Sequence, residues 1–346
     1  MHTDVEADMS DAGRGRPPSI RDVARLAGVS HQTVSRVLND HPSIRAATRE
    51  RVLEVMQDLQ YTPNRAARAL VTSRSQTIGV LSASSAQYGP ASSIAAIESA
   101  ARDQGYWVTA ANIDASDPGS IGAALAHLTA QSIDGLVIIA PQVRVFRAIA
   151  AMHIDVPYVT LQSTELDESR ALSVDQIAGA RAATRHLISL GHRSIYHLAG
   201  PQDWIEAEAR MRGFLEEMSA NDVPTTAPIL GDWTAEFGYY AGRELLSVRD
   251  FTAIFSSNDQ MALGLIHAIR EEGLDVPRDI SIVGFDDIPE AAHYWPPLTT
   301  VRQDWTELGR RCVALLLGGA AGASVGARQT IVPELIVRRS TARVGL

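Results

Sequence analysis

Apolar positions between residues 19 and 61 recur at helical spacing in three short runs. Ser19 with Asp22 has the form of a helix start, a side-chain cap followed by an acid in the first turn. Val23, Leu26 and Ala27 then give one apolar face. Gly28 ends that helix, Ser30 can cap the next, and Val34, Val37 and Leu38 form the second apolar face. A third helix is predicted over 46–59, with Val52, Leu53, Val55, Met56 and Leu59 as its stripe. Beyond Tyr61-Thr62-Pro63 the segment NRAARAL is a short helix candidate. From Thr77 the pattern changes. Apolar runs of strand length (TIGVLSA, YWVTAAN, DGLVIIA, then SIYHLAG, FTAIFSS, ISIVGFDD) alternate with amphipathic helical stretches. Such alternation predicts parallel sheets with helices on both faces, here as two doubly wound series of about five strands each. Residues 1–18 lack periodicity and are charged and rich in Gly and Pro, the pattern of a disordered tail.

Composition changes this picture in two places. The chain has 346 residues, 45% hydrophobic and 21% charged, enough for two or three domains. Net charge is −9, yet residues 14–74 carry eleven Arg against five acids, a local balance of +6. A basic segment on an acidic body predicts a head that touches phosphate and a body that does not. All 31 basic residues are arginine. Neither a signal-peptide pattern nor a run of eighteen apolar residues occurs, so a cytoplasmic protein without membrane contact is expected. The single cysteine, Cys312, excludes an internal disulfide and reads as the buried face of a helix. Enzyme signatures are missing: no dinucleotide-binding glycine pattern follows the first strand, and neither a phosphate-binding loop nor a nucleophile elbow is present. No helical histidine pair suggests a metal. A non-enzymatic protein without cofactor or metal is the expectation.

IRDVARLAGVSHQTVSRVLND has the shape of a helix-turn-helix, two helices joined through a Gly-containing turn. The second helix presents His31, Gln32 and Arg36. Gln pairs with adenine and Arg with guanine in the major groove, and His31 can donate to a base or a phosphate. Thr33, Ser35 and Asn39 suit phosphate contacts that set register. The wording is more specific than the shape. Asp22-Val23-Ala24, Ala27-Gly28-Val29-Ser30, Gln32 to Val37, Asn39, Thr48-Arg49-Glu50 and Tyr61-x-Pro63-Asn64 closely resemble the head of the LacI/GalR repressor family. The resemblance implies DNA contacts from Thr48, Tyr61 and Asn64. It also implies that NRAARAL is a hinge helix, with Ala67 on it and Leu70 as a wedge that opens a minor-groove base step.

LAGPQDW, GDWTAEFGY, SSNDQMALGLIHAIREEGL, DISIVGFDDI and PPLTTVRQDWTELG extend the resemblance to about Arg339. It implies a core like periplasmic sugar-binding proteins, with a ligand between two lobes. Sugar hydroxyls want forked donors and paired acceptors, and the ring's C–H face wants an aromatic plate. Arg210, Asp286 and Asn258 fall at the family's hydroxyl-gripping positions, Trp233 at its stacking aromatic, and Trp305 with Gln303 on the same wall. Against the family's galactoside-binding pattern, Gln162 replaces an aspartate, Ala83 a serine and Gln87 an apolar contact. Glu206 and Trp204 replace smaller side chains, and His31 replaces a tyrosine. The expectation is a DNA-binding repressor controlled by a small, galactoside-like sugar and working as a homodimer on double-stranded operator DNA. The alternative is a family member answering to a non-sugar or phosphorylated metabolite, as corepressor. A transport-type sugar-binding protein would share the core but lack the basic head. The expected parts are a tail (1–18), a helix-turn-helix head (19–63), a hinge (64–75) and a two-lobed core (76–346). The core divides into an N-lobe of about 76–174 with 303–333 and a C-lobe of about 175–302 with 334–340.

Overall fold

Ser19 starts the first helix by a reciprocal pair of bonds. Its backbone N–H donates to the Asp22 carboxylate (2.9 Å), and the Asp22 N–H donates back to its hydroxyl (3.4 Å). In this computed structural model, which describes residues 18–38, 41–61, 74–83, 86–115, 117–162, 170–319 and 329–345, helix α1 spans Ile20–Leu26. Gly28, at φ +63°, makes the tight exit that a side chain would resist. Ser30 accepts from the Thr33 N–H (3.1 Å), and α2 runs His31–Leu38. Helix α3 spans Ala46–Asp58. Val23, Val34 and Val52 are fully buried where the three meet, with Ala24, Ala27 and Val37 around them. Two predicted stripe members are not core. Leu26 is 53% and Leu53 45% exposed. A core of three short helices closes over one narrow seam, so residues at its flank stay in solvent.

Contacts divide the chain into residues 1–75 and 76–346. The expected hinge positions Asn64, Ala67 and Leu70, and Asn39 of the head, lie outside the described residues.

The larger unit holds two parallel sheets. The first is ordered β2 (Trp107–Ile113), β1 (Thr77–Ala83), β3 (Gly135–Ile139), β4 (Tyr158–Thr160). Its inner strands β1 and β3 are buried on both faces because each face has its own helical cover. Ile78, Val80, Val137 and Ile139 pack on one side with Ile97 of α4 (Tyr88–Asp103). Leu81, Ala83, Leu136 and Ile138 pack on the other, with Leu128 of α5 (Pro118–Ala130) and Phe146 of α6 (Val143–Ala150). After β5 (Leu172–Val174) and α7 (Gln176–Ser189) comes the strand set of the second sheet. It contains β6 (Ile195–Ala199), β7 (Ile229–Leu230), β8 (Ala253–Ser256), β9 (Ser281–Asp286), β10 (Thr299–Arg302) and β12 (Glu334–Ile336), with α8 (Ile205–Ala220), α9 (Ala235–Val248) and α10 (Asp259–Glu271) between its parallel strands. Its order is β12-β10-β9-β8-β6-β7.

The first sheet has four strands and the second six, where the alternation suggested about five each. Helix α11 (Trp305–Gly319) packs with the first sheet, and β11 (Gln329–Ile331) pairs with β5 in a separate two-stranded sheet. Strand β12 then joins β10 antiparallel. The chain therefore passes between the sheets three times, at 174–176, 302–305 and 331–334. Each passage places residues between the two sheets, near the carboxyl ends of strands, where open α/β sheets leave a crevice.

Candidate functional site

A cavity lies at the first two of those passages. Gln176 reaches it from the first passage, and Gln303 with Trp305 from the second. Strand β3 adds Ile139. The start of α8 adds Trp204, Glu206 and Arg210, and the start of α10 adds Asn258 and Gln260. Asp286 enters from the end of β9, with its backbone at φ 106°.

Four polar side chains close a ring of hydrogen bonds. Arg210 Nε donates to Gln176 Oε1 (2.8 Å), and Gln176 Nε2 donates to Gln303 Oε1 (2.8 Å). Gln303 Nε2 donates to Asp286 Oδ1 (2.7 Å), and Arg210 Nη2 reaches the same oxygen (3.2 Å). Arg210 Nη1 also donates to the Ser257 carbonyl, and its guanidinium lies 3.8 Å from the Phe285 ring centre. The ring explains how a guanidinium and a carboxylate, exposed only 5% and 7%, are tolerated in a core: each is paired and bonded further. Burial still pushes the Asp286 carboxyl above its ordinary range, against the pull of Arg210. Behind it, Asp259 is buried completely, and burial pushes it well up, with Asp286 adding to the rise. Its carboxylate accepts from Thr300 Oγ1 (2.6 Å) and the Ile288 N–H (2.9 Å), which pins the loop after β9.

Aromatic walls flank the ring. Trp233 sits at φ 75°, its six-membered ring against Gly200, where a Cβ would collide with it. Asn258 caps α10 by accepting from the Met261 N–H (2.9 Å) and donates to the Trp233 carbonyl (3.0 Å), so it anchors that tryptophan. Trp204 meets Trp233 edge to face at 5.6 Å, and Tyr88 meets Trp305 in the same way at 6.4 Å. The indole N–H groups of Trp233 and Trp305 are buried without a protein acceptor. From the first sheet's side, Gln162 accepts from the Ala140 N–H (2.8 Å) and donates to Glu206 (3.4 Å).

Of the residues singled out in the sequence, Arg210, Trp233, Asn258, Asp286, Gln162, Trp305, Gln303 and Gln87 line this one cavity. Ala83 does not. Alternation along β1 turns it to the face opposite Ile139, where it is fully buried with Leu81 and Ile138. Tyr88, Gln176 and Gln260 were not foreseen. Gln176 follows a capping Asp175 at a helix start, and nothing in its local pattern marks it as the partner of Arg210 and Gln303. In the head, α2 buries Val34 and Val37 and exposes His31, Gln32 and Arg36 on its other side. Thr33, Ser35, Thr48 and Tyr61 are half-buried.

Two family models match the chain: bacterial regulatory proteins of the lacI family over residues 19–64, and a periplasmic binding protein-like domain over 184–341. The lactose operon repressor of Escherichia coli (strain K12) is 37% identical over 328 residues, which is 94% of this chain and 91% of the relative. A crystal structure of the lac repressor dimer bound to operator and the anti-inducer ONPF superposes with a TM-score of 0.86 at 36% identity, covering 94% of this chain and all (100%) of that one. A transcriptional regulator CelR–cellobiose complex reaches 0.69 at 30% identity over 93% of this chain and 99% of its own. No helix among the described residues is long and apolar enough to cross a membrane. With a helix-turn-helix head of matching sequence and a periplasmic-binding-protein-like core of matching fold, the chain belongs to the LacI/GalR family of DNA-binding transcriptional repressors.

Proposed function

We propose that the chain represses transcription as a homodimer on a palindromic operator, and that a small saccharide bound in the cavity releases it. The observation that carries the effector class is the ring of Arg210, Gln176, Gln303 and Asp286 beside Trp204, Trp233 and Trp305, which line the same cavity. It offers a hydroxylated ring both forked polar partners and apolar plates. The lac repressor and the CelR–cellobiose complex lend support as relatives whose names carry sugars.

On the head, Gln32 and Arg36 read base edges, His31 contacts a base or phosphate, and Thr33, Ser35, Asn39, Thr48 and Tyr61 fix register on the backbone. Asn64, Ala67 and Leu70 form the hinge that enters the minor groove. The effector acts by binding the two core lobes in an arrangement that suits the operator-bound dimer less well. Linkage then requires operator to weaken saccharide by the same factor, a coupling of roughly 1–3 kcal/mol.

The test is operator binding at fixed salt across a panel of mono- and disaccharides, using a palindromic duplex from the DNA beside the gene. Release by one saccharide, lost in Asp286→Ala with DNA binding retained, is the expected result. A duplex that fails to bind even at low salt refutes the reading of the head. Binding tightened by a purine or a phosphorylated metabolite, with no saccharide active, refutes the reading of the cavity.

A further inference from the structure

The two lobes of the core are joined in two different ways. At the passages through 174–176 and 302–305 the junction is covalent and cannot part. Where residues 141–144 of the first lobe meet 203–205 of the second, it is non-covalent. The loop after β3 and the loop before α8 run antiparallel there and pair at Gln142 and Trp204. The Ile205 N–H donates to the Pro141 carbonyl (2.8 Å), and the Val143 N–H donates to the Asp203 carbonyl (3.1 Å). Asp203 is left-handed at φ 62°, a conformation its short polar side chain tolerates. Its Oδ1 accepts from the Arg144 N–H (3.1 Å), and its Oδ2 lies 3.3 Å from Arg144 Nε. Ile205 begins a helix of the second lobe yet packs against the apolar cluster of the first that holds Val145 and Phe146.

This bridge forms part of the cavity wall. Pro141 and Trp204 line the cavity, and Trp204 meets Trp233 edge to face. Arg144 and Asp203 do not line it. Their side chains stand 67% and 33% exposed, so the pair adds little to the stability of the whole core. It bears on a smaller equilibrium, between a joined and a parted bridge. A junction of two backbone bonds and one apolar side chain parts at far lower cost than a sheet unfolds, and a modest contribution moves its population. A ligand that touches both lobes binds the joined form best, and its apparent affinity scales with the fraction joined.

We propose that residues 141–144 and 203–205 form a latch between the lobes, and that Arg144 and Asp203 are positioning residues that set saccharide affinity from outside the cavity by favouring the joined form. The link to affinity rests on the cavity being the effector site; the opening of the latch does not.

The experiment compares full-length wild type, Arg144→Met, Asp203→Asn and the double variant, with retained thermal unfolding transitions showing that each folds. Asp203→Asn removes the charge while keeping an oxygen for the Arg144 N–H and a residue at ease in the left-handed region. Amide hydrogen exchange is read first, without ligand. The Val143 and Ile205 amides are expected to exchange about tenfold faster than those inside β3 and β6, through local opening. Each variant should speed them a further two- to fivefold or so, the size of an exposed ion pair, with the double variant no faster than either single one. Isothermal titration with galactose, lactose and cellobiose follows, between about 0.01 M and about 1 M salt, where the screening length falls from about 30 Å to about 3 Å. A neutral sugar brings no charge of its own. Wild type is nevertheless expected to lose affinity about two- to fivefold across that range, and the variants to bind weakly and without salt dependence. Bridge amides as slow as the strand amides, or equally fast in wild type and variants, overturn the latch. A sugar whose affinity is unmoved by salt and by both substitutions overturns the role of the pair in affinity and leaves the saccharide reading intact. If none of the three sugars binds, the saccharide reading fails, and the exchange rates alone uphold or overturn the latch.

Discussion

Replacing Arg210 with alanine removes the donors that reach Gln176, the Ser257 carbonyl and Asp286, and the cation against the Phe285 ring. The larger consequence is what remains: Asp286, 7% exposed, keeps only the Gln303 donor. Breaking a buried pair from one side costs about 3–5 kcal/mol, most of it from the uncompensated charge left behind. For a core of this size that is a fall of roughly 10 °C in its melting temperature. The loss has a pH signature. Asp286 already titrates above its ordinary value because of burial, and Arg210 is the main influence opposing that shift. Without Arg210 its folded-state value climbs further. An acid raised in the folded state is stabilising in its protonated form, and that stability is lost as pH rises through the raised value. The variant's deficit relative to wild type is therefore expected to be smallest in acid and to grow with pH. Differential scanning calorimetry of wild type, Arg210→Ala and the double variant Arg210→Ala/Asp286→Ala measures it. The double variant should recover part of the loss because the stranded carboxylate is gone. A deficit below about 1 kcal/mol, or one that is flat with pH and unrelieved in the double variant, refutes the account of the ring as a compensated buried pair.

Three further outcomes follow from named contacts. Gly200→Ala places a methyl against the Trp233 indole and is expected to cost about 1–3 kcal/mol and to abolish saccharide response while operator binding persists; unchanged tryptophan fluorescence and response would count against the packed plate. Ser19→Ala removes a hydroxyl from the capping box and is expected to destabilise the head by about 1 kcal/mol, read as a lower first transition in denaturant, with the core transition unmoved. Burial pushes the Cys312 thiol up to about 12, so a thiol reagent at mildly alkaline pH is expected to leave the native protein unlabelled and to react only as the core unfolds; rapid native labelling would contradict its place on the buried face of α11.

Much of the fold is legible in the chain because it rests on local physics. The capping pair Ser19 and Asp22, the turn at Gly28 and the seam residues Val23, Val34 and Val37 follow from spacing and side-chain chemistry within a few residues. The strand runs that begin with TIGVLSA and DGLVIIA are likewise visible, since a parallel strand covered on both faces is continuously apolar. The resemblance carried the family and eight of the residues that line the cavity, because these lie in motifs that can be matched without coordinates.

Tertiary structure decided what depends on which face or which neighbour a residue meets. Leu26 and Leu53 satisfy helical periodicity yet stand in solvent, since a three-helix core closes over a narrower seam than the stripe suggests. Ala83 adjoins the expected ligand wall in sequence but turns away from it, because one residue along a strand reverses the side chain. Gln176 and Gln303 lie 127 residues apart and meet at 2.8 Å only because the chain passes between its two sheets more than once. Glu206, an ordinary acid of a first helical turn on paper, becomes a buried oxygen without a donor once the lobes enclose it. Periodicity and capping are properties of neighbouring residues, whereas burial and pairing across distant segments exist only after the chain has closed on itself.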